Sequence, residues 1–291
     1  MEKNKHNIVE KLQKETTLRS TIVKVAVEVG LYVILGTFDV LLAYNKINFF
    51  RPFRRGFFCS DQSLMFPYKE LSVKESHVIL IALLPSTLII FATEIFRNGR
   101  RLKKYCYLQL YYRIIGSMLF GFSLCILFVE LTKSSVGSLR PYFFAVCRPN
   151  MTLTNCTDVY ITDYVCRGTD SALIFDARKS FPSGHAASVW YAATFLVIYI
   201  HLRIYRRWKR SRAFCPIIQT LVAASALYVG VSRIQDNAHR PIDILAGATV
   251  GIIFAIITIY LSSVFTEKGT KTYCTAVNSE EERQFTMENE T

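Results

Sequence analysis

The sequence predicts an all-α, polytopic membrane protein with six transmembrane helices. Of its 291 residues, 51% are hydrophobic and the mean hydropathy is +0.26, which is too apolar for an ordinary soluble domain of this size. The apolar residues fall in runs of about 20, the length that a helix needs to cross ~30 Å of hydrocarbon. The net charge of +13 lies between these runs, which favours phospholipid head groups and phosphate substrates over nucleic acid as partners.

Each span is predicted from its length and low charge, because the runs are apolar on nearly every face. The six runs cover residues 22–44, 78–96, 105–131, 185–202, 216–231 and 241–265. The first run lacks a small-residue cleavage site, so we expect a signal anchor and not a removable signal peptide. The spans form one domain over 22–265, between a cytosolic tail at 1–21 and an acidic cytosolic tail at 266–291 that is predicted to be disordered.

Basic connections predict the side of the membrane on which each loop lies. The segments 97–104 and 203–212 are rich in arginine and lysine, which the positive-inside rule places in the cytosol. Both termini then lie in the cytosol, and the large loop 132–184 lies outside it. This loop carries the glycosylation sequons of Asn150 and Asn155, which support the same direction.

Four cysteines lie in the predicted outer segments 45–77 and 132–184, where an oxidising compartment lets disulfides persist. They are Cys59, Cys147, Cys156 and Cys166. We expect disulfide bonding among them, but four cysteines allow three pairings and the sequence does not choose one.

Three polar blocks border or interrupt the apolar runs, where ionisable groups are costly and point to function. They are 133–141 (KSSVGSLRP), 182–185 (PSGH) and 232–243 (SRIQDNAHRPID). The predicted topology puts all three blocks at the extracytoplasmic face. Lys133, Arg140 and Arg233 supply fixed cations there, and the two arginines are planar donors suited to bidentate contact with phosphate oxygens.

The second block is predicted to form an anion site from its backbone. Pro182 stands where a helix would start, so the amides of Ser183, Gly184 and His185 are expected to point unpaired at one place. Gly184 lets a ligand approach the chain closely.

The third block places two residues that are suited to nucleophilic catalysis. His239 precedes Asp243 by four residues at the mouth of span six, so Asp243 can fix one imidazole nitrogen and leave the other free to attack. We hypothesise in-line attack by His239 on phosphorus, giving a phosphohistidine, while His185 protonates the departing alcohol and then activates water. This scheme needs no metal or other cofactor, so activity in EDTA is expected.

The three motifs K-x6-R-P, P-S-G-H and S-R-x5-H-x3-D, in this order on six spans, resemble the type 2 phosphatidic acid phosphatase superfamily. Within it, the chain is most similar to the lipid phosphate phosphatases, also called phospholipid phosphatases. The resemblance covers roughly residues 22–265, and every fixed position of the motifs is present.

The resemblance implies a magnesium-independent enzyme of broad specificity. Its substrates would be phosphatidate, lysophosphatidate, sphingosine 1-phosphate and ceramide 1-phosphate in the bilayer, cleaved at the outer or lumenal face, with the plasma membrane as the expected location. It also implies a role for each matching position. The histidine at His239 would be the nucleophile and His185 the acid, and the phosphate binders would be Lys133, Arg140, Ser183, Gly184 and Arg233.

Other functions remain open at this stage. Six spans with buried charge would also suit a transporter or channel, although the charges cluster at one face and form no path across the membrane. A catalytically silent scaffold is a third class. Among enzymes, a glucose 6-phosphatase or a sphingoid-restricted phosphatase is the nearest competitor, because the blocks indicate phosphate chemistry and not the leaving group. The sequence also leaves the oligomeric state open, a homo-oligomer included.

Overall fold

A computed structural model describes residues 23, 26–39, 41, 52–98, 104–150, 159–205 and 213–262. Several predictions fall wholly or partly outside these ranges. They concern the tails 1–21 and 266–291, the basic connections around 99–103 and 206–212, and the positions of Asn155 and Cys156.

The chain divides into two compact units, residues 1–46 and 47–291. In the first unit, residues 26–39 form helix α1, which lies inside the predicted span 22–44. The remainder of that predicted span lies largely outside the described residues, so the count of six spans stays a prediction.

The second unit is mostly helical. Its helices are α2 (Glu75–Asn98), α3 (Lys104–Val136), α4 (Phe143–Cys147), α5 (Ser171–Asp176), α6 (Gly184–Ile200), α7 (Phe214–Gln235) and α8 (Pro241–Leu261). A π-helical turn, His201–Tyr205, extends α6. Two short strands, β1 (Phe57–Phe58) and β2 (Tyr160–Ile161), pair antiparallel.

Five helices of the described residues are long and apolar enough to cross a membrane, which confirms predicted spans two to six as helices. Their apolar stretches are Ser76–Phe96, Leu110–Val136, Gly184–Tyr205, Phe214–Gln235 and Pro241–Leu261. Two of them carry a predicted site cation beyond the predicted end of the span: α3 continues past 131 through Lys133, and α7 continues past 231 through Arg233. Both cations are buried against carboxylates, so neither has to leave the helix to reach water.

Helix α6 is the centre of the unit and packs against α2, α3, α7 and α8. Twelve of its side chains are buried, many of them alanines. Its contact with α8 is especially close, because a Cβ atom on Gly251 would lie 2.3 Å from the carbonyl oxygen of Ala187, and one on Gly247 would lie 2.3 Å from that of Ser183. Small residues of this kind let helix backbones approach inside a membrane protein.

An apolar cap closes one end of the helices. It consists of buried residues from the segments 52–74 and 137–183, together with Ala238. Phe57 of β1 is central to it, with ring centroids 4.9 Å from Phe144 and 5.0 Å from Tyr164. Cys147 and Cys166 are joined by a disulfide within this cap, and Cys59 is also disulfide-bonded.

Candidate active site

The three polar blocks meet beneath the apolar cap, because α3 and α7 end there while α6 and α8 begin there. Lys133 lies in the last turn of α3, Arg233 in the last turn of α7, and Asp243 in the first turn of α8. His185 is the second residue of α6. The ionisable groups near enough to act electrostatically on His185 are Arg233, His239, Lys133 and Arg140. The structure therefore brings together residues that are separated by more than a hundred positions.

The imidazole of His239 is almost completely buried, with 2% of the residue exposed. A tight turn between α7 and α8 holds it, in which the amides of Ala238 and His239 both donate to the carbonyl of Arg233 at 3.0 and 3.3 Å. Its Nδ1 lies 3.8 Å from Oδ2 of Asp243 and has no hydrogen-bond partner among the described residues. The two side chains are adjacent as predicted, but the distance is too long for the expected hydrogen bond.

The carboxylate of Asp243 is held by other donors. Its Oδ2 accepts hydrogen bonds from Oγ of Ser180 at 2.7 Å and from the backbone amide of Arg240 at 3.0 Å. Catalytic hydrogen bonds are often long in an empty site and shorten when substrate binds. Asp243 is thus anchored beside the imidazole in a position from which a small movement would complete the pair.

Burial and charge together set the protonation state of His239. Burial, and then the nearby guanidinium of Arg140, lower the pKa of His239 to about 4, although Asp243 acts in the opposite direction. The imidazole is therefore neutral at pH 7. A neutral imidazole has a free lone pair on one nitrogen, which is the form that a nucleophile requires.

One prediction about the start of α6 is wrong. Ser183 is the N-cap of the helix, and its backbone amide donates to the carbonyl of Asp243 at 3.0 Å, so it is not available to an anion. The close packing of α6 against α8 at Gly247 brings these two backbones together. The amides of Gly184 and His185 belong to the first turn, where amides have no intrahelical partner.

Gly184 also makes room for a cation. A Cβ atom at this position would lie 2.9 Å from Nζ of Lys133. The ammonium of Lys133 therefore lies directly beside the first turn of α6, where the helix dipole and the free amides favour an anion. This places the first block against the second.

Each of the three predicted cations is ion-paired with a carboxylate to which sequence reasoning gave no role. The pairs are Lys133–Glu130 at 2.6 Å, Arg140–Asp176 at 2.7 Å and Arg233–Asp236 at 2.8 Å. Such pairs fix the direction of long side chains that are otherwise flexible. Two of the pairs are three residues apart in the chain, one within α3 and one at the C-terminal end of α7, a spacing that could have been recognised in the sequence.

The short segment 176–180 contributes three further contacts to the site that sequence reasoning missed. Asp176 holds Arg140, Ser180 holds Asp243, and Lys179 donates from Nζ to Oε2 of Glu130 at 2.5 Å. Nothing in the local pattern of this loop indicated a site, because its partners lie 36 to 63 residues away in the chain.

Two remaining predictions concern modification and metal. Asn150 is exposed on the loop after α4, and its side-chain oxygen accepts a hydrogen bond from Arg167. Its glycosylation stays a prediction. Within the described part of the chain, no three His, Cys, Asp or Glu residues are grouped to hold a metal ion, and independence from metal stays a prediction for activity measurements.

Comparisons with known proteins show which family the chain belongs to. The PAP2 superfamily matches residues 114–267. The chain is 34% identical to phospholipid phosphatase 1 of Mus musculus over 235 residues, covering 76% of this chain and 79% of that protein. It is 34% identical to phospholipid phosphatase 2 of Bos taurus over 220 residues, covering 74% and 75%. Among solved structures, a transmembrane PAP2-type phosphatidylglycerolphosphate phosphatase from Bacillus subtilis aligns with a TM-score of 0.41 and 16% identity, covering 81% of this chain and 98% of that one.

Apolar helices of spanning length around a buried histidine and arginine site, together with the PAP2 family match and the two phospholipid phosphatases, define the class: a multi-pass membrane hydrolase of phosphate monoesters. The chain belongs to the PAP2 superfamily and, within it, to the lipid phosphate phosphatases. The family that the three motifs predicted is thereby confirmed.

Proposed function

We propose that this membrane lipid phosphatase hydrolyses phosphatidate, lysophosphatidate, sphingosine 1-phosphate and ceramide 1-phosphate through a phosphohistidine on His239. The observation that carries this proposal is the environment of the His239 side chain. This side chain is buried, its pKa is lowered to about 4, and it lies beside Asp243 within electrostatic reach of Arg140 and Lys133. Such an imidazole is a ready nucleophile beside an anion-binding centre.

In the first step, Nε2 of His239 attacks phosphorus as the bond from phosphorus to the alcohol oxygen breaks. His185, which takes up a proton when the phosphate dianion binds beside it, gives that proton to the alcohol oxygen, and the lipid alcohol leaves. Nδ1 of His239 then faces the carboxylate of Asp243, which stabilises the positive charge on the imidazole.

In the second step, neutral His185 takes a proton from water, and the hydroxide attacks the phosphohistidine. The bond from phosphorus to nitrogen breaks, inorganic phosphate leaves, and His239 returns to its neutral form. Lys133, Arg140, Arg233 and the first-turn amides of α6 stabilise the charge on the equatorial oxygens. The loss of one such donor typically costs about 2.7 to 4 kcal/mol of transition-state stabilisation.

We further propose that the site faces the extracellular or lumenal side, with the plasma membrane as the location. The basic connections 97–104 and 203–212 join the helix ends opposite the site, which supports a cytosolic position for them. The site end carries the disulfide of Cys147 and Cys166 and the exposed sequon residue Asn150, which suit an oxidising, glycosylating compartment.

A substrate panel with purified protein in detergent micelles tests this function. We expect phosphate release from the four lipid phosphates with and without EDTA, and poor release from glucose 6-phosphate. His239→Ala and His185→Ala should each abolish release. Full turnover by His239→Ala would contradict the mechanism, and a preference for glucose 6-phosphate would contradict the substrate class.

A further inference from the structure

One carboxylate of the site binds two lysines. Oε1 of Glu130 accepts from Nζ of Lys133 at 2.6 Å, and Oε2 accepts from Nζ of Lys179 at 2.5 Å. All three residues are buried, and Lys179 is only 4% exposed. Glu130 and Lys133 are on α3, whereas Lys179 comes from the loop before α6, so the cluster joins two parts of the fold.

The charge balance of this cluster bears on phosphate binding. A pair of Glu130 and Lys133 alone would be neutral, and its ammonium would hold a phosphate dianion only weakly. With Lys179 on the second oxygen, the cluster carries a net charge of +1. A surplus cation in a buried site is costly until an anion arrives, which favours binding of phosphate at this place.

Both the backbone and the ammonium of Lys179 are held in place by neighbouring groups. Its amide donates to the carbonyl of Asp176 at 2.9 Å, and the next amide, that of Ser180, donates to the carbonyl of Ser138 at 2.9 Å. Its ammonium also lies 5.5 Å from the ring centroid of Phe175, a cation–π distance. Among the described residues, these contacts hold the surplus charge against Glu130, with no second carboxylate paired to Lys179.

We propose that Lys179 is a positioning residue of the phosphate site, which shares Glu130 with Lys133 and so leaves Lys133 a positive charge for the substrate. The proposal rests on the proposed function, in which Lys133 binds the phosphoryl group. Lys133 is the residue that can touch this group, because its ammonium lies at the first turn of α6 beside Gly184. Lys179 acts on the substrate through Glu130 and Lys133.

The inhibition constant of inorganic phosphate is the suitable measurement, because it does not depend on the fraction of molecules that fold. In Lys179→Met, Glu130 neutralises Lys133, and we expect the inhibition constant to rise about tenfold, with a parallel rise in KM for phosphatidate. Lys179→Arg retains the charge and should stay within about threefold of wild type. The matched control is Lys74→Met, since Lys74 is exposed before α2, and it should be unchanged.

A double variant separates this role from a merely structural one. Glu130→Gln with Lys179→Met removes both partners and returns the net charge to +1, now on Lys133 alone. We expect phosphate to bind this variant more tightly than it binds Lys179→Met. An unchanged inhibition constant in Lys179→Met, or a double variant as weak as that single variant, would overturn the proposal.

The same series distinguishes two kinds of failure. If Lys133→Met weakens phosphate inhibition while Lys179→Met does not, then the phosphate site stands and only the role of Lys179 is wrong. If His239→Ala retains turnover or Lys133→Met leaves phosphate inhibition intact, then the proposed function itself fails.

Discussion

Nδ1 of His239 lies 3.8 Å from Oδ2 of Asp243, and that oxygen already accepts hydrogen bonds from Oγ of Ser180 and the amide of Arg240. The carboxylate is therefore fixed by its own helix and by the loop before α6. A fixed carboxylate can orient an imidazole and stabilise its charged form only if both partners are present.

Replacement of Asp243 by asparagine should strongly reduce the rate of catalysis. The amide has no negative charge to stabilise the imidazolium and can favour the wrong tautomer, so we expect kcat on phosphatidate to fall by roughly 10²- to 10⁴-fold. The effect is measured as phosphate release in detergent micelles. A fall smaller than about tenfold would show that Asp243 does not act on His239.

Removal of the Ser180 hydroxyl should have a milder effect on the same step. Ser180→Ala removes one hydrogen bond to the carboxylate, and we expect kcat to fall about tenfold while KM changes little. The matched control is Ser135→Ala, because the exposed hydroxyl of Ser135 donates to the carbonyl of Leu131 in its own helix and, within the described part of the chain, to no group of the site. Equal activity of the two variants would show that the Ser180 hydroxyl does not contribute to catalysis.

The lowered pKa of His239 predicts a pH dependence of stability. The unfolded imidazole titrates near 6.5 and the folded one near 4, so between these values the unfolded chain binds more protons. Stability should therefore fall as the pH decreases from 6.5 toward 4, and this loss is absent above 6.5. The midpoint of thermal unfolding in detergent should decrease between pH 7.5 and pH 5. This decrease should be smaller for His239→Asn than for wild type. Identical decreases in the two proteins would show that the folded protein does not hold the imidazole of His239 in its neutral form.

The close contact of α6 with α8 should be intolerant of a methyl group. A Cβ atom on Gly251 would meet the backbone of Ala187, so the helices must separate, which typically costs about 1 to 3 kcal/mol and moves His185 relative to Asp243. We expect Gly251→Ala to lower both the thermal midpoint and kcat. Gly230→Ala is the matched control, since its new methyl would lie 3.1 Å from Cγ2 of the Ile244 side chain and, among the described residues, would meet no backbone atom of another helix. Equal behaviour of the two variants would contradict this packing.

N-glycosylation of the loop that carries Asn150 and Asn155 tests the proposal that the site faces the extracellular or lumenal side. We expect the protein from cells to shift on treatment with an N-glycosidase, and the shift to become smaller in Asn150→Gln and absent when Asn155→Gln is added. Asp163 is fully exposed at the same end of the structure and provides an independent probe as Asp163→Cys. Labelling of that thiol from the cytosol by an impermeant maleimide would place the site on the opposite side.

Sequence reasoning located the helices and the histidines but not the groups that hold them. Spacing alone placed His239 beside Asp243, since a helix start at Pro241 fixes their relation. It could not place Asp176 against Arg140, because that pair is made by a loop whose path depends on the apolar cap. It also assigned a free amide to Ser183, since only the fold shows that Asp243 of α8 takes it.

Helix ends were misjudged for a related reason. A charge at the end of an apolar run normally marks the membrane boundary, so 131 and 231 were natural limits. Lys133 and Arg233 remain within their helices because each is ion-paired with a carboxylate three residues away, Glu130 and Asp236 respectively. The choice between boundary and buried pair depends on neighbouring helices and is not contained in the local sequence.

Trapping of the phosphoenzyme tests the central claim most directly. Rapid quenching of the purified protein during turnover of ³²P-labelled phosphatidate should give an acid-labile, alkali-stable label that peptide mapping assigns to His239. The label and the turnover should both be lost in His239→Gln. A label on another residue, or full turnover by the His239→Gln variant, would contradict the account.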